Sequence, residues 1–297
     1  RYGAVPDTEH NYGVEADRDA FETDLLLAAE RVKVPVLCIC RGMQVMNAPS
    51  HSKYHALYLK MQKRFSHGMS FLSSFSYGKS IDNGSGIRTS VGDPLTPSNN
   101  YNLELETGPS AFDFRKRWTS SWIWELPFGQ DRRFMNRGGV ADFVLGGWQL
   151  GGILTLQDGF PFTVTCGPGN IQNGGGTCYP DATGVDWQLP DSERSRTRYF
   201  NAAAFIDRDP ALGSAFRYGS VKRNSLVGPG FTSFDASINK QFKVGGDSVE
   251  FRVEVFNLPN LPIWGQPGAQ LRQPTTGVIN STRIDSRQIQ MGLKYVF

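Results

Sequence analysis

The stretch "PVLCICRGMQVMN" at residues 35–47 carries the most evident chemistry in the chain. An apolar run from Val34 to Ile39 reads as a strand that ends on Cys40, with Arg41, Gly42 and a helix-like segment behind it. A strand, sharp turn and helix leave a thiol exposed at a helix N-terminus, where the dipole favours thiolate. Cys40 is the candidate nucleophile and Gly42 the residue that lets the backbone turn. Such a nucleophile needs a base, normally His, oriented by a third group. The only histidines are His10, His51, His55 and His67, so no distant His can complete a triad. Cys40 therefore reads as a nucleophile motif without its partners, and the inert reading is preferred to hydrolysis. Cys38 and Cys40 lie in one strand with no second ligand pair, which argues against zinc. "GPGNIQNGGG" lacks the lysine and the strand-to-helix context of a phosphate cradle. No cofactor and no metal are expected.

The elements around this motif fall into two compositions. Residues 14–32 place Phe21, Leu25, Ala28 and Ala29 at helical spacing, so helix, strand 34–39 and elbow form an α/β pattern. After about Pro49 period-two alternation takes over. Leu57, Leu59, Met61 and Phe65 share one strand face; Met69, Phe71, Phe75 and Tyr77 share the next. Residues 114–126 set Phe114, Trp118, Trp122, Trp124 and Leu126 against Arg115, Arg117, Thr119, Ser121 and Glu125. Residues 144–156 alternate through Val144, Trp148, Leu150, Leu154 and Leu156, and 231–242 through Phe234, Ala236, Ile238 and Phe242. Val249, Phe251, Val253 and Val255 follow, then Ile289, Met291, Leu293, Tyr295 and Phe297.

Several of these runs are as long as a tilted strand crossing a bilayer, about 9–11 residues, where soluble strands average about 5–6. The opposite faces carry Arg, Glu, Gln and Ser, which suits a wet lumen. The expected fold is mainly β: part of a transmembrane antiparallel barrel, an up-and-down meander of about seven strands after a short α/β fragment. The alternative is a large soluble β-sandwich with one polar face. Connections alternate between long (81–112, 166–230, 258–285) and short or moderate (66–68, 127–140, 244–247), as in outer-membrane barrels. With the C-terminus on the periplasmic side, the first strand and the last both run downward. An upward strand should then precede residue 54, and the barrel reads as cut on its N-terminal side. Cys166 and Cys178 flank a long loop on the outer side and are candidates for a loop-closing disulfide, with two free thiols as the alternative. Tyr77, Trp118, Trp122 and Trp124 are candidates for an aromatic membrane girdle. Arg115, Lys116, Arg117, Arg132 and Arg133 read as a solvated or headgroup rim.

Charge and hydropathy exclude other classes. A formal charge of +3 is no argument for nucleic acid. No apolar run of about 18 residues offers a membrane helix. The chain begins at Arg1 without a signal pattern, which leaves a removed signal or a missing start.

Two family resemblances follow. "YHALYLKMQKRFSHGMSFLSSFSYGKSID", "GGWQLGGILTLQDGFPFTV", "YFNAAAF", "RNSLVGPGFTSFDASINKQF" and "VEFRVEVFNLPNLPIWG" resemble, in order, the C-terminal part of a TonB-dependent outer-membrane receptor of the Oar-like kind. The resemblance covers residues 54–297. It implies outer-membrane lipid, barrel-assembly machinery and, in a full-length parent, the TonB complex as partners, with the substrate unidentified. The ending "QIQMGLKYVF" places Gln290, Gly292, Tyr295 and Phe297 at the spacing of the barrel-assembly signal. Residues 1–48 resemble a γ-glutamyl hydrolase-like class I glutamine amidotransferase, through "YG" at 12–13, "RDAFETDLLLAA" at 18–29 and the Cys40 stretch. That family usually has Gly at the position of Cys38, and its His and Glu lie far downstream. A hydrolase would be cytoplasmic; a barrel belongs to the outer membrane. The join, "NAPSHSKY", holds no linker, as a gene fusion or truncated frame would leave it.

Overall fold

The computed structural model describes residues 24, 28, 31, 51–85, 97–99, 102–129, 132–136, 139–168, 177–207 and 218–297. Asp24, Ala28 and Arg31 are helical and exposed. The rest of the amidotransferase-like segment, with Cys40 and Gly42, lies outside the described residues.

Alternation of side chains dictates the architecture. The strands are β1 (Ser52–Ser66), β2 (Met69–Asp82), β3 (Gly108–Pro109), β4 (Lys116–Glu125), β5 (Trp148–Gln157), β6 (Pro161–Phe162), β7 (Asp181–Ala182), β8 (Phe205–Ile206), β9 (Leu226–Val227), β10 (Phe231–Val244), β11 (Asp247–Phe256) and β12 (Gln288–Val296). Seven long strands form one antiparallel sheet in the order β1-β2-β4-β5-β10-β11-β12, with β3 added beside β2. Each long strand pairs with the next long strand along the chain, so the mainly β meander expected from the pattern is present. Among the described residues the sheet does not close, and β1 and β12 are its edges. Successive antiparallel pairing makes these two edges run in the same direction.

Register aligns the apolar positions across the sheet. Met69, Trp124, Leu150, Ile238, Val253 and Met291 are successive partners across six strands. A parallel row runs Phe71, Trp122, Gly152, Ala236, Val255, Ile289. A Cβ on Gly152 would come 2.6 Å from the Trp122 ring, so this glycine gives the indole room to lie flat on the sheet. The other face carries Lys60, Ser74, Thr119, Thr155 and Ser233 in one row. Two-residue turns hold the register: His67-Gly68 (φ 54° and 74°) joins β1 to β2, and Gly245-Gly246 joins β10 to β11.

One element departs from the alternation. Val140–Leu145 form a short helix, α1, before β5 begins at Trp148, so Val144 is helical rather than the first residue of a strand. Gly146 and Gly147 (φ 67°) break the chain between the two, which a scan for alternation reads straight through. Among the described residues no helix is long and apolar enough to cross a membrane.

The hydrophobic core is not in the sheet. Phe162, Val164, Phe200, Phe205, Val221 and Leu226 are buried together with Leu271 in the connections after β5 and β11. Connections 83–115, 158–230 and 257–287 all leave one end of the sheet, and their packed part forms a cap there. The opposite end carries both tight turns, the 126–147 connection with α1, and the C-terminus.

Candidate functional site

The cap is anchored to the sheet by a buried polar clasp. Arg223 is 2% exposed and reaches from the 158–230 connection to the end of β2. Its Nη2 donates to the Asp82 carbonyl at 2.8 Å and pairs with the Asp82 carboxylate. Its Nη1 donates to Ser85 Oγ at 2.8 Å and its Nε to the Glu106 carbonyl at 2.9 Å. The Glu106 carboxylate accepts from the Ser98 amide and hydroxyl, each at 2.7 Å, and from the Tyr179 hydroxyl at 2.5 Å. The segments around Asp82 and Glu106 are thereby tied to one guanidinium, and Tyr179 joins them through the Glu106 carboxylate. A Cβ on Gly108 would stand 2.5 Å from the Arg223 carbonyl, so only glycine lets the two connections approach this closely. Asn224, at φ 55°, donates through its amide to Thr163 Oγ1 at 2.9 Å and through Nδ2 to the Pro109 carbonyl at 2.8 Å. Sequence reasoning missed this clasp, because Arg223 lies over a hundred residues from Asp82, Ser85 and Glu106 and no local motif marks them.

Other cap contacts are aromatic. Arg283 lies 4.7 Å from the Phe160 ring centroid, and burial draws its guanidinium below the usual arginine range. Tyr199 donates to the Val227 carbonyl at 3.2 Å, and burial pushes its phenol up. Cys166 and Cys178 are joined by a disulfide, and the Cys166 amide donates to the Cys178 carbonyl at 3.0 Å. Beneath the cap a cleft of about 350 Å³ is lined by Pro109, Asp113, Arg115, Asp158, Pro161 and Val227. Asp113 accepts from the Ser80 amide at 2.7 Å, so its carboxylate helps hold the strand end. Among the described residues no group of three or more His, Cys, Asp or Glu side chains is placed to hold a metal.

The sheet is the second candidate surface. Tyr77, Trp118, Trp122 and Trp124 stand on its apolar face but at different depths. Tyr77 pairs with Lys116 near the cap, and Trp124 pairs with Met69 at the far end. The six steps from Trp118 to Trp124 cover about 20 Å along the strand, so the four rings span both levels instead of forming one belt. Arg115, Lys116 and Arg117 lie at the cap end of β4; Arg132 and Arg133 follow its other end, where Arg132 pairs with Glu125 at 2.6 Å. In the edge strand β12, Gln290 and Gly292 pair with Glu254 and Arg252 on the polar face. Tyr295 is on the apolar face, and its ring lies 6.1 Å from that of Phe297.

Lys240 is a cation within the apolar rows, flanked by Trp148 and Phe251. An exposed charge on a lipid-facing strand costs about 2–4 kcal/mol at mid-bilayer and less near the interface. Lys240 is 2% exposed, and its ammonium donates to the Gly146 carbonyl at the C-terminus of α1. A helix C-terminus suits a cation, because its last carbonyls are unpaired and its dipole end is negative.

A protein family described as an outer membrane beta barrel domain matches residues 27–290. No curated protein matches the chain.

Proposed function

We propose, from the premise that the chain belongs to the outer membrane beta barrel domain family and so resides in the cell outer membrane, that residues 54–297 are seven consecutive staves of a TonB-dependent, Oar-like receptor barrel. The observation that carries this reading is the pairing of an apolar face continuous across the long strands with a self-packed cap at one end. Lipid satisfies the first surface; the second is built to face ligand. Barrels of this class keep short turns on the periplasmic side and long loops outside, so the cap is extracellular. The cleft beneath it is the candidate entry for substrate. β1 and β12 run in the same direction, so antiparallel closure takes an odd number of further strands between them. The seven staves alone therefore enclose no pore, and transport belongs to a complete barrel driven by the TonB complex. On this reading residues 1–48 are a separate amidotransferase-like fragment, although the family match starts at residue 27 and reaches across the join.

The test uses an intact receptor that carries these staves. Deleting Phe297 should sharply lower the heat-modifiable, membrane-inserted fraction, because the free edge of β12 must pair with the assembly machinery. Val296→Ala, which faces the Ser248 side of the sheet, should leave insertion near the parent level. Equal insertion of both variants would overturn the reading of β12 as an assembly signal.

A further inference from the structure

The 126–147 connection is the largest element at the turn end of the sheet, and most of its apolar side chains face outward. Val140 is 82% exposed, Phe143 54% and Val144 52%. Positions 140, 143 and 144 share one helix face, as residues three and four apart do. Phe128, Phe134 and Met135, earlier in the same connection, are exposed as well, with the Phe128 and Phe134 rings 6.0 Å apart. A surface of this kind would be a liability in water.

Its placement says what covers it. The Phe143 ring lies 5.0 Å from that of Phe242, and Phe242 belongs to the apolar face of β10. Trp148 Nε1 donates to the Val144 carbonyl at 2.9 Å, and the Gln241 amide donates to the Gly147 carbonyl at 3.1 Å. Lys240 rises from the same face into the Gly146 carbonyl, with the Trp148 and Phe242 ring centroids 5.7 and 5.0 Å away. The helix thus lies on the lower rim of the lipid-facing surface and extends it outward without a break. Its one acid, Asp142, is turned inward: a Cβ on Gly129 would meet Asp142 Oδ1 at 2.6 Å. Arg133 stands in the same connection, 5.5 Å from the Phe134 ring centroid, where an interfacial segment carries its basic residues, while Arg132 is paired with Glu125.

We infer that α1 is an interfacial membrane anchor, seated in the headgroup–acyl boundary of the periplasmic leaflet, with the burial of Lys240 as the device that makes its underside compatible with lipid. The occupant of the exposed face of Val140, Phe143 and Val144 is phospholipid, not protein. The helix thereby sets the depth of the barrel from below, opposite the cap. The inference rests on the barrel reading and adds a second, non-strand contact with the bilayer.

The test is depth-dependent quenching of an environment-sensitive fluorophore on single cysteines. An intact receptor that carries these staves, with the Cys166–Cys178 disulfide kept and its other cysteines replaced by Ser, is refolded into phosphatidylethanolamine–phosphatidylglycerol vesicles. Labels are placed at Val144→Cys and, as a second helix site, Val140→Cys. Gly246→Cys reports the neighbouring turn, where a side chain meets nothing within 4 Å. Leu293→Cys reports the strand face. The helix labels should be quenched most by lipid brominated near the headgroup. They should also be at least about threefold less accessible to aqueous iodide than the Gly246 label, as expected for burial at the boundary. Leu293→Cys should respond to bromine deeper in the acyl chain. If Leu293→Cys is quenched but both helix labels match Gly246→Cys in iodide accessibility, the anchor is overturned and the barrel reading stands. If Leu293→Cys is not quenched at any depth, the barrel reading falls and the anchor falls with it.

Discussion

In the sheet, Leu293, Met291 and Ile289 stand 75, 70 and 60% exposed; in the cap, Phe162, Val164 and Phe200 are 1, 0 and 3% exposed. Both regions are rich in large apolar side chains, yet they satisfy them differently. In the sheet the long strands pair along extended ladders, with one register shift between Lys63 and Ser66, while the apolar rows point to one side and stay largely uncovered, apart from Phe242 and Lys240 beneath α1. In the cap the chain folds back on itself, and a buried guanidinium, a disulfide and aromatic–cation contacts complete what its short strands cannot. The stability of the sheet is therefore linked to lipid, whereas the cap should hold its shape by contacts within the chain. Changes on the sheet should register as membrane insertion, and changes in the cap as local stability.

The largest effect should follow Arg223→Met. It leaves Asp82 buried and unpaired, and breaking one side of a buried ion pair costs about 3–5 kcal/mol. Amide exchange should accelerate in 98–113 and 218–230, while the amides shared by β10 and β11 keep their protection. Loss of protection across both regions would show that cap and sheet form one cooperative unit. Next is Leu293→Lys, which puts a charge on the lipid face for up to about 2–4 kcal/mol, depending on depth. The inserted fraction should fall, and Ser74→Lys, on the opposite face, should be tolerated. Equal losses from both would remove the distinction between the faces. Replacing Cys166 and Cys178 by Ser releases a short loop, worth about 3 kcal/mol in the loop-entropy account. Proteolysis should then reach the cap sooner without changing insertion. The smallest expected effect is none: Cys40→Ala should leave γ-glutamyl amide hydrolysis at background, before and after substitution. Turnover lost on that change would restore the enzyme reading.

The strand set was legible because a pleated strand imposes a period of two, which residues 249–255 keep without interruption and residues 57–65 and 69–77 keep with one polar exception each, Lys63 and Ser73. The tight turns were legible too, since Gly245-Gly246 must supply a backbone that other residues resist. Helix α1 was not, because Val144 and Trp148 preserve the alternation by parity although the chain winds between them. Most of the cap was also hidden. The partners of Arg223 come from Asp82, Ser85 and Glu106, and no local pattern announces a contact across so many residues. The sequence by itself determined which side chains share a face, because that depends only on the neighbours along a strand. Only the tertiary structure decided where the true core lies and how the Lys240 charge is hidden, because burial and ion pairing depend on segments that meet in space.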